Sequence, residues 1–168
     1  VNMVGAMPSI WSYGHRNPQG LVLQPKTGTL WEHEHGPKGG DEVNIIQKGK
    51  NYGWPSITYG INYNGATISK LTAQAGMEQP VIYWTPSIAP SGLAFVTSSK
   101  YPGWENNLLV GSLRFQYLHR CVVRDGKIVK QEKLLDRIGR VRCIKQAPDG
   151  YLYFSVEGDG KIYKIVPL

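Results

Sequence analysis

Short apolar runs separated by turn residues recur along the chain, and no helical periodicity is sustained. The apolar runs stand at residues 21–23, 30–35, 41–47, 81–84, 92–96, 108–114, 117–123, 127–129, 141–144, 151–155 and 161–166. Gly, Pro, Asn and Asp fill the gaps between them, and these residues favour tight turns. Asp125-Gly126 between two apolar runs is a strong signal for a hairpin. The pattern predicts an all-β fold, with residues 60–80 as a long exposed loop.

Three segments of the chain repeat one plan: an apolar strand, a Pro/Gly turn, a second strand and a Gly-containing turn. They begin near Gly20, Gly92 and Arg142, at a spacing near the ~40–50 residues of a four-stranded propeller blade. The length predicts about three to four blades. A closed propeller has roughly four to eight, so a set of this size leaves strand edges unpaired. A β-sandwich or another meander is the alternative at this point.

The composition is that of a soluble globular protein and adds few constraints. The 168 residues suit one domain, with 41% hydrophobic and 18% charged residues. No apolar run approaches the ~20 residues that cross a bilayer, so no membrane span is expected. The net charge of +7 indicates a basic surface or a cationic cluster that faces an anionic ligand. Nucleic acid is not expected as a partner, because no nucleic-acid-binding motif accompanies the charge.

The start of the chain and its cysteines bear on processing and compartment. The sequence begins at Val1 without a charged and then apolar leader, which we interpret as a piece of a longer protein or a processed product. Cys121 and Cys143 form no Cys-x-x-Cys motif. The sequence is compatible with a disulfide between them, formed outside the cytosol, and equally with two separate thiols.

A His-x-His pair and a Gly-rich turn are the first candidates for metal binding. His33 and His35 point to one face of a strand, where a zinc or iron site would need a third ligand. Glu32 and Glu34 would face solvent on the other side. The turn at residues 36–42 could direct backbone carbonyls at calcium, which prefers oxygen ligands. An ordinary Gly-rich turn is the alternative.

Four arginines stand at strand ends or in turns that precede strands: Arg16, Arg114, Arg140 and Arg142. In a propeller such positions can gather at one mouth of the central channel. Several guanidiniums there would suit a polycarboxylate ligand through forked hydrogen bonds. Nucleophilic hydrolysis has little support, since the chain lacks a Gly-x-Ser-x-Gly elbow, a P-loop and a Rossmann fingerprint.

Several long motifs in fixed order resemble one family. They are GHRNPQG at 14–20, EHGPKGGDE at 34–42, KNYGWP at 50–55, GINYNG at 60–65, EQPVIYW at 78–84, SG at 91–92, RVR at 140–142 and APDGYLY at 147–153. Together they resemble the soluble aldose sugar dehydrogenases that use pyrroloquinoline quinone (PQQ), a family that includes soluble glucose dehydrogenase. The family fold is a six-bladed β-propeller of four-stranded blades. Residues 1–168 resemble its C-terminal part, within a single propeller domain.

The resemblance implies a role for particular residues of this chain. Arg16 would act at the reactive quinone oxygen, as the one catalytic residue of this chain. The implied PQQ contacts are Arg16, Asn17, Gln19, Tyr63, Ser112, Arg114, Arg140 and Arg142. The implied calcium ligands are Gly36, Pro37, Glu42 and the backbone of Tyr52, and Trp84 would border the sugar. Arg114 stands where the family commonly has Lys.

The implied activity is oxidation of an aldose at its anomeric carbon to the lactone, by hydride transfer to PQQ with calcium as the second cofactor. The general-base histidine of the family lies outside this sequence, and His15 is not that base. The chain alone is therefore expected to be inactive without the missing N-terminal half. The other implied partners are the aldose and an external electron acceptor, in a periplasmic or secreted protein.

Two other functions compete with this interpretation. A non-catalytic quinoprotein-like propeller would bind carbohydrate or a protein partner, although such a domain has no need for a carboxylate clamp of arginines. A metal-dependent hydrolase built on His33 and His35 is the weaker alternative.

Overall fold

The computed structural model describes residues 4–158 and 160–167, and this part of the chain is all-β. Its strands are β1 (Pro18–Leu23), β2 (Leu30–Glu34), β3 (Asp41–Ile46), β4 (Ile82–Trp84), β5 (Pro90–Phe95), β6 (Leu108–Ser112), β7 (Leu118–Arg124), β8 (Lys127–Leu134), β9 (Arg140–Gln146), β10 (Leu152–Glu157) and β11 (Ile162–Ile165). The predicted all-β class is confirmed. The Asp125-Gly126 turn joins β7 to β8, as predicted, with positive φ at both residues.

The strands form antiparallel meanders that repeat along the chain. Strands β1–β4 and β5–β8 each make a four-stranded sheet in sequence order, and β9–β11 make a three-stranded sheet. The sheets begin close to Gly20, Gly92 and Arg142, so the predicted repeat is confirmed. The fold is part of a β-propeller, with two complete blades and a third that has three strands within the described residues. Residues 60–80, predicted as a long loop with weak strand content, contain no strand and one isolated bridge, from Ile61 to Lys38.

The blades pack face to face through two apolar clusters. In the first, Trp31 and Val43 of the first blade meet Phe95 and Leu108 of the second, and all four are almost fully buried. A second cluster joins the middle blade to the third through residues such as Leu109, Val141, Ile144, Leu152 and Phe154. Each blade therefore buries its faces against its neighbours. This explains why β6 of the middle blade is a continuous apolar run, since Leu108 and Val110 face the first cluster and Leu109 faces the second.

The innermost strands of successive blades approach each other very closely at two glycines. A Cβ added at Gly20 of β1 would lie 2.8 Å from the Cβ of Leu93. Gly92 of β5 has a φ of +59°, and a Cβ there would lie 2.8 Å from the backbone nitrogen of Ile144 in β9. These positions need glycine because the side chains of Leu93 and His33, at Gly20, and the backbone of β9, at Gly92, occupy the space of a side chain.

The two cysteines are free thiols at different depths. Cys121 is fully buried in β7, where burial raises the pKa of its thiol to about 12. Cys143 is exposed in β9. Within the described residues, no helix has the length and apolar character needed to cross a membrane.

Candidate functional site

The candidate residues lie at one common end of the blades. Antiparallel pairing joins Pro18 to Glu34, Pro90 to Ser112 and Arg140 to Glu157. The starts of β1, β5 and β9 therefore share an edge with the ends of β2, β6 and β10. This edge carries all four predicted arginines, with Arg16 and Arg114 in loops and Arg140 and Arg142 at the start of β9. The direction of the strands therefore places these arginines at the same end of the blades.

Asp41 connects the loops at this end, a role that the sequence analysis did not predict. Its carboxylate accepts hydrogen bonds from Gly36 N at 2.9 Å, Ser87 Oγ at 2.7 Å and Ala89 N at 2.8 Å. The side chain is fully buried. Three donors from two loops thus converge on one charge, so the turn after β2 and the loop before β5 are fixed relative to each other.

The turn that includes Gly36 and Pro37 is compact because of its glycines. A Cβ at Gly36 would lie 2.2 Å from the carbonyl oxygen of Gly39, which leaves no room for a side chain. Arg16 closes the turn from outside, since its Nη1 donates to the carbonyls of His35 at 2.9 Å and Gly36 at 3.1 Å. The carbonyl of Gly36, a predicted calcium ligand, accepts a hydrogen bond from the Arg16 guanidinium in this structure.

Arg16 is held on its other sides as well. Its guanidinium lies over the Trp54 ring, 5.3 Å from the centroid. The backbone nitrogens of Arg16 and Asn17 both donate to Oε2 of Glu34, at 2.5 and 3.0 Å. The segment before β1 is therefore anchored through one buried carboxylate. The side chain of Asn17 accepts from Gln19 at 2.9 Å, and both side chains are exposed at the rim.

Glu42 and Tyr52, two predicted calcium ligands, line one small cavity of about 10 Å³. Arg16, Glu34 and Gly36 also line it. This volume is near the ~10–15 Å³ that holds one water molecule. Burial and the nearby Glu34 carboxylate raise the pKa of Glu42 to about 7. The donors and the size of the cavity therefore fit a single hard cation.

Three glutamates crowd around Asn44 beneath this cavity. Nδ2 of Asn44 lies 3.3 Å from Glu32 and 3.5 Å from both Glu34 and Glu42. Glu32 and Glu34 are 3% and 4% exposed, so the prediction that they face solvent is wrong. Burial, followed by the charge of Glu34, raises the pKa of Glu32 to about 9. The error arose because alternation shows which residues share a face but not whether that face is covered.

The histidines of β2 face the next blade. His33 and His35 share one side, as predicted, with Nε2 3.4 Å from the Gly92 carbonyl and 2.8 Å from the Pro90 carbonyl, respectively. Burial lowers the pKa of His33 to about 4. Neither belongs to a group of possible metal ligands among the described residues. Both rings join the first blade to β5, which leaves the hydrolase alternative without support.

Ser112 and Arg114 occupy the turn between β6 and β7. The Ser112 hydroxyl is fully buried, donates to the Ile88 carbonyl at 2.8 Å and accepts from Phe115 N at 3.1 Å. Arg114 is exposed, and its guanidinium lies 5.2 Å from the centroid of the Phe115 ring. Ser112 thus holds the turn in which Arg114 is presented.

Arg140 and Arg142 share one counter-ion. Nε of Arg140 donates to Oε2 of Glu157 at 2.7 Å, while Arg142 binds the other oxygen of the same carboxylate. Both arginines are exposed, and the hydrogen bonds from Arg140 and Arg142 lower the pKa of Glu157. The two guanidiniums face the same way, as their spacing predicted. Together they carry one more positive charge than Glu157 neutralises.

The remaining predicted residues are Tyr63 and Trp84. Tyr63 is 73% exposed in the long loop. Trp84 is mostly buried, and its Nε1 donates to Gln131 at 3.0 Å, which also accepts from His119 at 2.9 Å. Trp84 contributes to a cavity of about 620 Å³, together with Phe115, Tyr117, His119 and Lys133.

The chain is part of a β-propeller that has four arginines at one end of its blades. The sequence model of one family, Glucose / Sorbosone dehydrogenase, matches residues 1–164, and the chain belongs to that family. The resemblance read from the sequence is thereby confirmed.

Individual relatives agree with this assignment. The chain is 47% identical to the aldose sugar dehydrogenase YliI of Escherichia coli over 97% of its length and 45% of that protein. The apo crystal structure of soluble aldose sugar dehydrogenase from Escherichia coli matches all of the chain and 50% of its own, with a TM-score of 0.94 and 45% identity. The PQQ-bound aldose sugar dehydrogenase of Streptomyces coelicolor matches 92% of the chain and 44% of its own, with a TM-score of 0.69 and 28% identity. The chain spans about half the length of these relatives.

Proposed function

We propose that this chain is the C-terminal part, residues 1–168, of a propeller enzyme that oxidises aldose sugars with PQQ and calcium. The observation that carries the proposal is the set of arginines at one end of the inner strands, in a chain that belongs to this family. Its relatives include a PQQ-bound aldose sugar dehydrogenase. The missing N-terminal half would complete the ring and supply the general-base histidine. The chain alone would then be inactive.

PQQ, when bound, supplies a quinone that accepts two electrons from the anomeric carbon of the sugar in the form of one hydride. Arg140, Arg142 and Arg114 would bind its carboxylates through forked hydrogen bonds. Arg16 would direct a guanidinium at the quinone oxygen and stabilise negative charge there. Asn17, Gln19 and Tyr63 would line the cofactor pocket. Ser112 would contribute to cofactor binding indirectly, because its hydroxyl stabilises the turn that carries Arg114.

Calcium would be held by Glu42 and the backbone of Tyr52, where the small cavity supports the proposal. Gly36 and Pro37 would offer carbonyls to a calcium ion bound with PQQ, once Arg16 turns from the Gly36 carbonyl toward the quinone. Trp84 would border the sugar from the larger cavity. The aldose and an external electron acceptor would be the partners, and the protein would be periplasmic or secreted.

The alternative is a non-catalytic propeller that binds carbohydrate or a protein partner. The aromatic and polar lining of the 620 Å³ cavity favours it to a limited extent. Reduction of a dye by the intact protein with PQQ, calcium and an aldose separates the two. Sugar-dependent reduction supports the enzyme, and sugar binding without reduction supports the alternative.

Removal of the Arg140–Arg142 pair should weaken PQQ binding. We expect the double alanine variant to bind PQQ at least about tenfold more weakly, because charge-assisted hydrogen bonds contribute ~1.5–3 kcal/mol each and ~1.4 kcal/mol is tenfold. Glu157→Gln should tighten binding, since it frees both guanidiniums from their counter-ion. Fluorescence titration with PQQ measures both effects.

Arg124→Ala, in the hairpin strand β7 at the opposite end of the blades, is the matched control for loss of positive charge. It should leave PQQ binding within about twofold of the parent. Equal losses in Arg124→Ala and in single variants of the arginine pair would contradict the proposed carboxylate clamp.

Calcium should stabilise the protein through Glu42. At 100 times its dissociation constant a ligand adds ~2.7 kcal/mol, so a rise of several degrees in Tm is expected. Glu42→Gln should abolish this rise, and exposed Glu105→Gln should not. Because the pKa of Glu42 is about 7 without calcium, protons compete for its carboxylate below that pH. The calcium-dependent rise should therefore be larger at pH 8.5 than at pH 6.

Differential scanning fluorimetry with calcium or a chelator measures the shift at both pH values. A full calcium response in Glu42→Gln would contradict this site.

A further inference from the structure

A second group of possible metal ligands lies on the first blade, beside the predicted calcium cavity. His15, Glu32 and Glu34 each offer a ligand atom, and these atoms all lie within 4.8 Å of one another. Glu32 and Glu34 come from the same face of β2, and His15 comes from the segment that precedes β1. The roles discussed above for this chain give Glu32 and His15 no chemical task.

Glu32 has an oxygen for which the fold supplies no partner. Its Oε2 lies near the Asn44 amide, but Oε1 has no hydrogen-bond partner among the described residues. The side chain is almost completely buried. An unpartnered buried carboxylate oxygen is costly, and a cation is the partner that best offsets the cost.

His15 is oriented as a metal-binding imidazole would be. Its Nε2 lies 2.9 Å from the Ser12 hydroxyl, and its ring stacks on Tyr52 with 4.6 Å between centroids. If Nε2–H donates to Ser12, Nδ1 presents a lone pair toward Glu34. Nδ1 lies 3.5 Å from Oε1 of Glu34. Two ligands of a tetrahedral ion with bonds of ~2.1 Å stand roughly 3.4 Å apart.

We propose that His15, Glu32 and Glu34 form a binding site for a divalent transition-metal ion, of which zinc is the best fit. One imidazole nitrogen and two carboxylates favour such an ion over calcium, which prefers oxygen donors throughout. His15 and Glu32 also line a cavity of about 430 Å³, which leaves room for a water molecule as the fourth ligand. Small side-chain rotations would close the 4.8 Å separation.

The metal would position the segment that carries Arg16. Oε2 of Glu34 already accepts hydrogen bonds from the backbone nitrogens of Arg16 and Asn17. Oε1 of the same carboxylate faces His15 and would bind the ion. One carboxylate would thus connect the metal to the loop before β1. The ion has a structural role here. Its site adjoins the Glu42–Tyr52 cavity and shares Glu34 with it, but Glu42 is not among its ligands.

Zinc titration of the chelator-stripped intact protein tests the proposal. Isothermal titration calorimetry should detect one equivalent of zinc that excess calcium does not displace. Glu32→Gln, which keeps the shape of the side chain, should weaken zinc binding at least tenfold. His15→Phe keeps a ring on Tyr52, removes the nitrogen ligand and should have a similar effect. Circular dichroism of each metal-free variant verifies that it folds.

Exposed Glu105→Gln is the control and should keep zinc binding within about threefold. Anomalous diffraction at the zinc edge should place the ion between His15 and Glu32. Absence of stoichiometric zinc, or unchanged binding in folded Glu32→Gln and His15→Phe, would overturn the proposal. Loss of zinc in Glu42→Gln alone would assign the ion to the calcium cavity and would also overturn it. None of these outcomes depends on PQQ or sugar oxidation.

Discussion

Replacement of Asp41 by alanine is expected to lower the free energy of unfolding by about 4 kcal/mol. The carboxylate accepts three hydrogen bonds, from Gly36 N, Ser87 Oγ and Ala89 N, and it is fully buried. Hydrogen bonds to a charged group contribute ~1.5–3 kcal/mol each, and loss of the acceptor leaves buried donors unpaired. These effects are not additive, so the expected total is below their sum. Urea denaturation of the intact protein measures it.

Asp41→Asn distinguishes loss of charge from loss of shape. Its amide can accept two of the three hydrogen bonds, but its NH₂ group would then face the third donor. We expect a cost of about 2–3 kcal/mol, between the parent and the alanine variant. Exposed Asp136→Ala is the control and should change stability by less than ~0.5 kcal/mol. A cost below 1 kcal/mol for Asp41→Ala would mean that the two loops do not depend on this carboxylate.

Trp31→Ala is expected to cost about 3–5 kcal/mol, the range measured for large aromatic residues in protein cores. Trp31 is fully buried and meets Phe95 of the second blade edge to face, with ring centroids 5.7 Å apart. The cavity left by alanine would lie at the contact between blades. Both blades should therefore still unfold in a single transition, at a lower denaturant concentration than in the parent. Coincident transitions by fluorescence and by circular dichroism would establish this.

Trp31→Phe should cost only about 1–2 kcal/mol, because the ring is retained in part and Nε1 has no hydrogen-bond partner to lose. Trp11→Ala removes the same side chain at a position that is 53% exposed, and it should change stability by about 0.5 kcal/mol or less. Equal effects of Trp31→Ala and Trp11→Ala would show that the blades are not joined by a common core.

Much of this fold could be predicted from the sequence. The turn residues divide the chain into strands, and the repeat beginning near Gly20, Gly92 and Arg142 gives the blades. Strand direction then places Arg16 and Arg114 at one end. These features depend on local turn chemistry and on alternation, which a single sequence records directly.

The burial of the acidic residues Glu32, Glu34 and Asp41 could not be predicted in the same way. Alternation assigns Glu32 and Glu34 to the face opposite His33, but a covering segment decides whether that face meets water. Residues before β1 fold over it and bring His15 against the two carboxylates. The bracing role of Asp41 depends on Ser87 and Ala89, almost fifty positions away. Such contacts follow from the packing of distant segments, which periodicity does not describe.

The glycines of the innermost strands have a consequence for the width of the ring. Because Gly20 lies against the side chains of Leu93 and His33, and Gly92 against the backbone of β9, successive inner strands lie as close together as their atoms allow. Larger residues at these points would splay the blades, and no smaller residue exists to draw them closer. The aperture is thus fixed for a given number of blades. Changes in ligand size within this architecture must be accommodated by the loops at the rim.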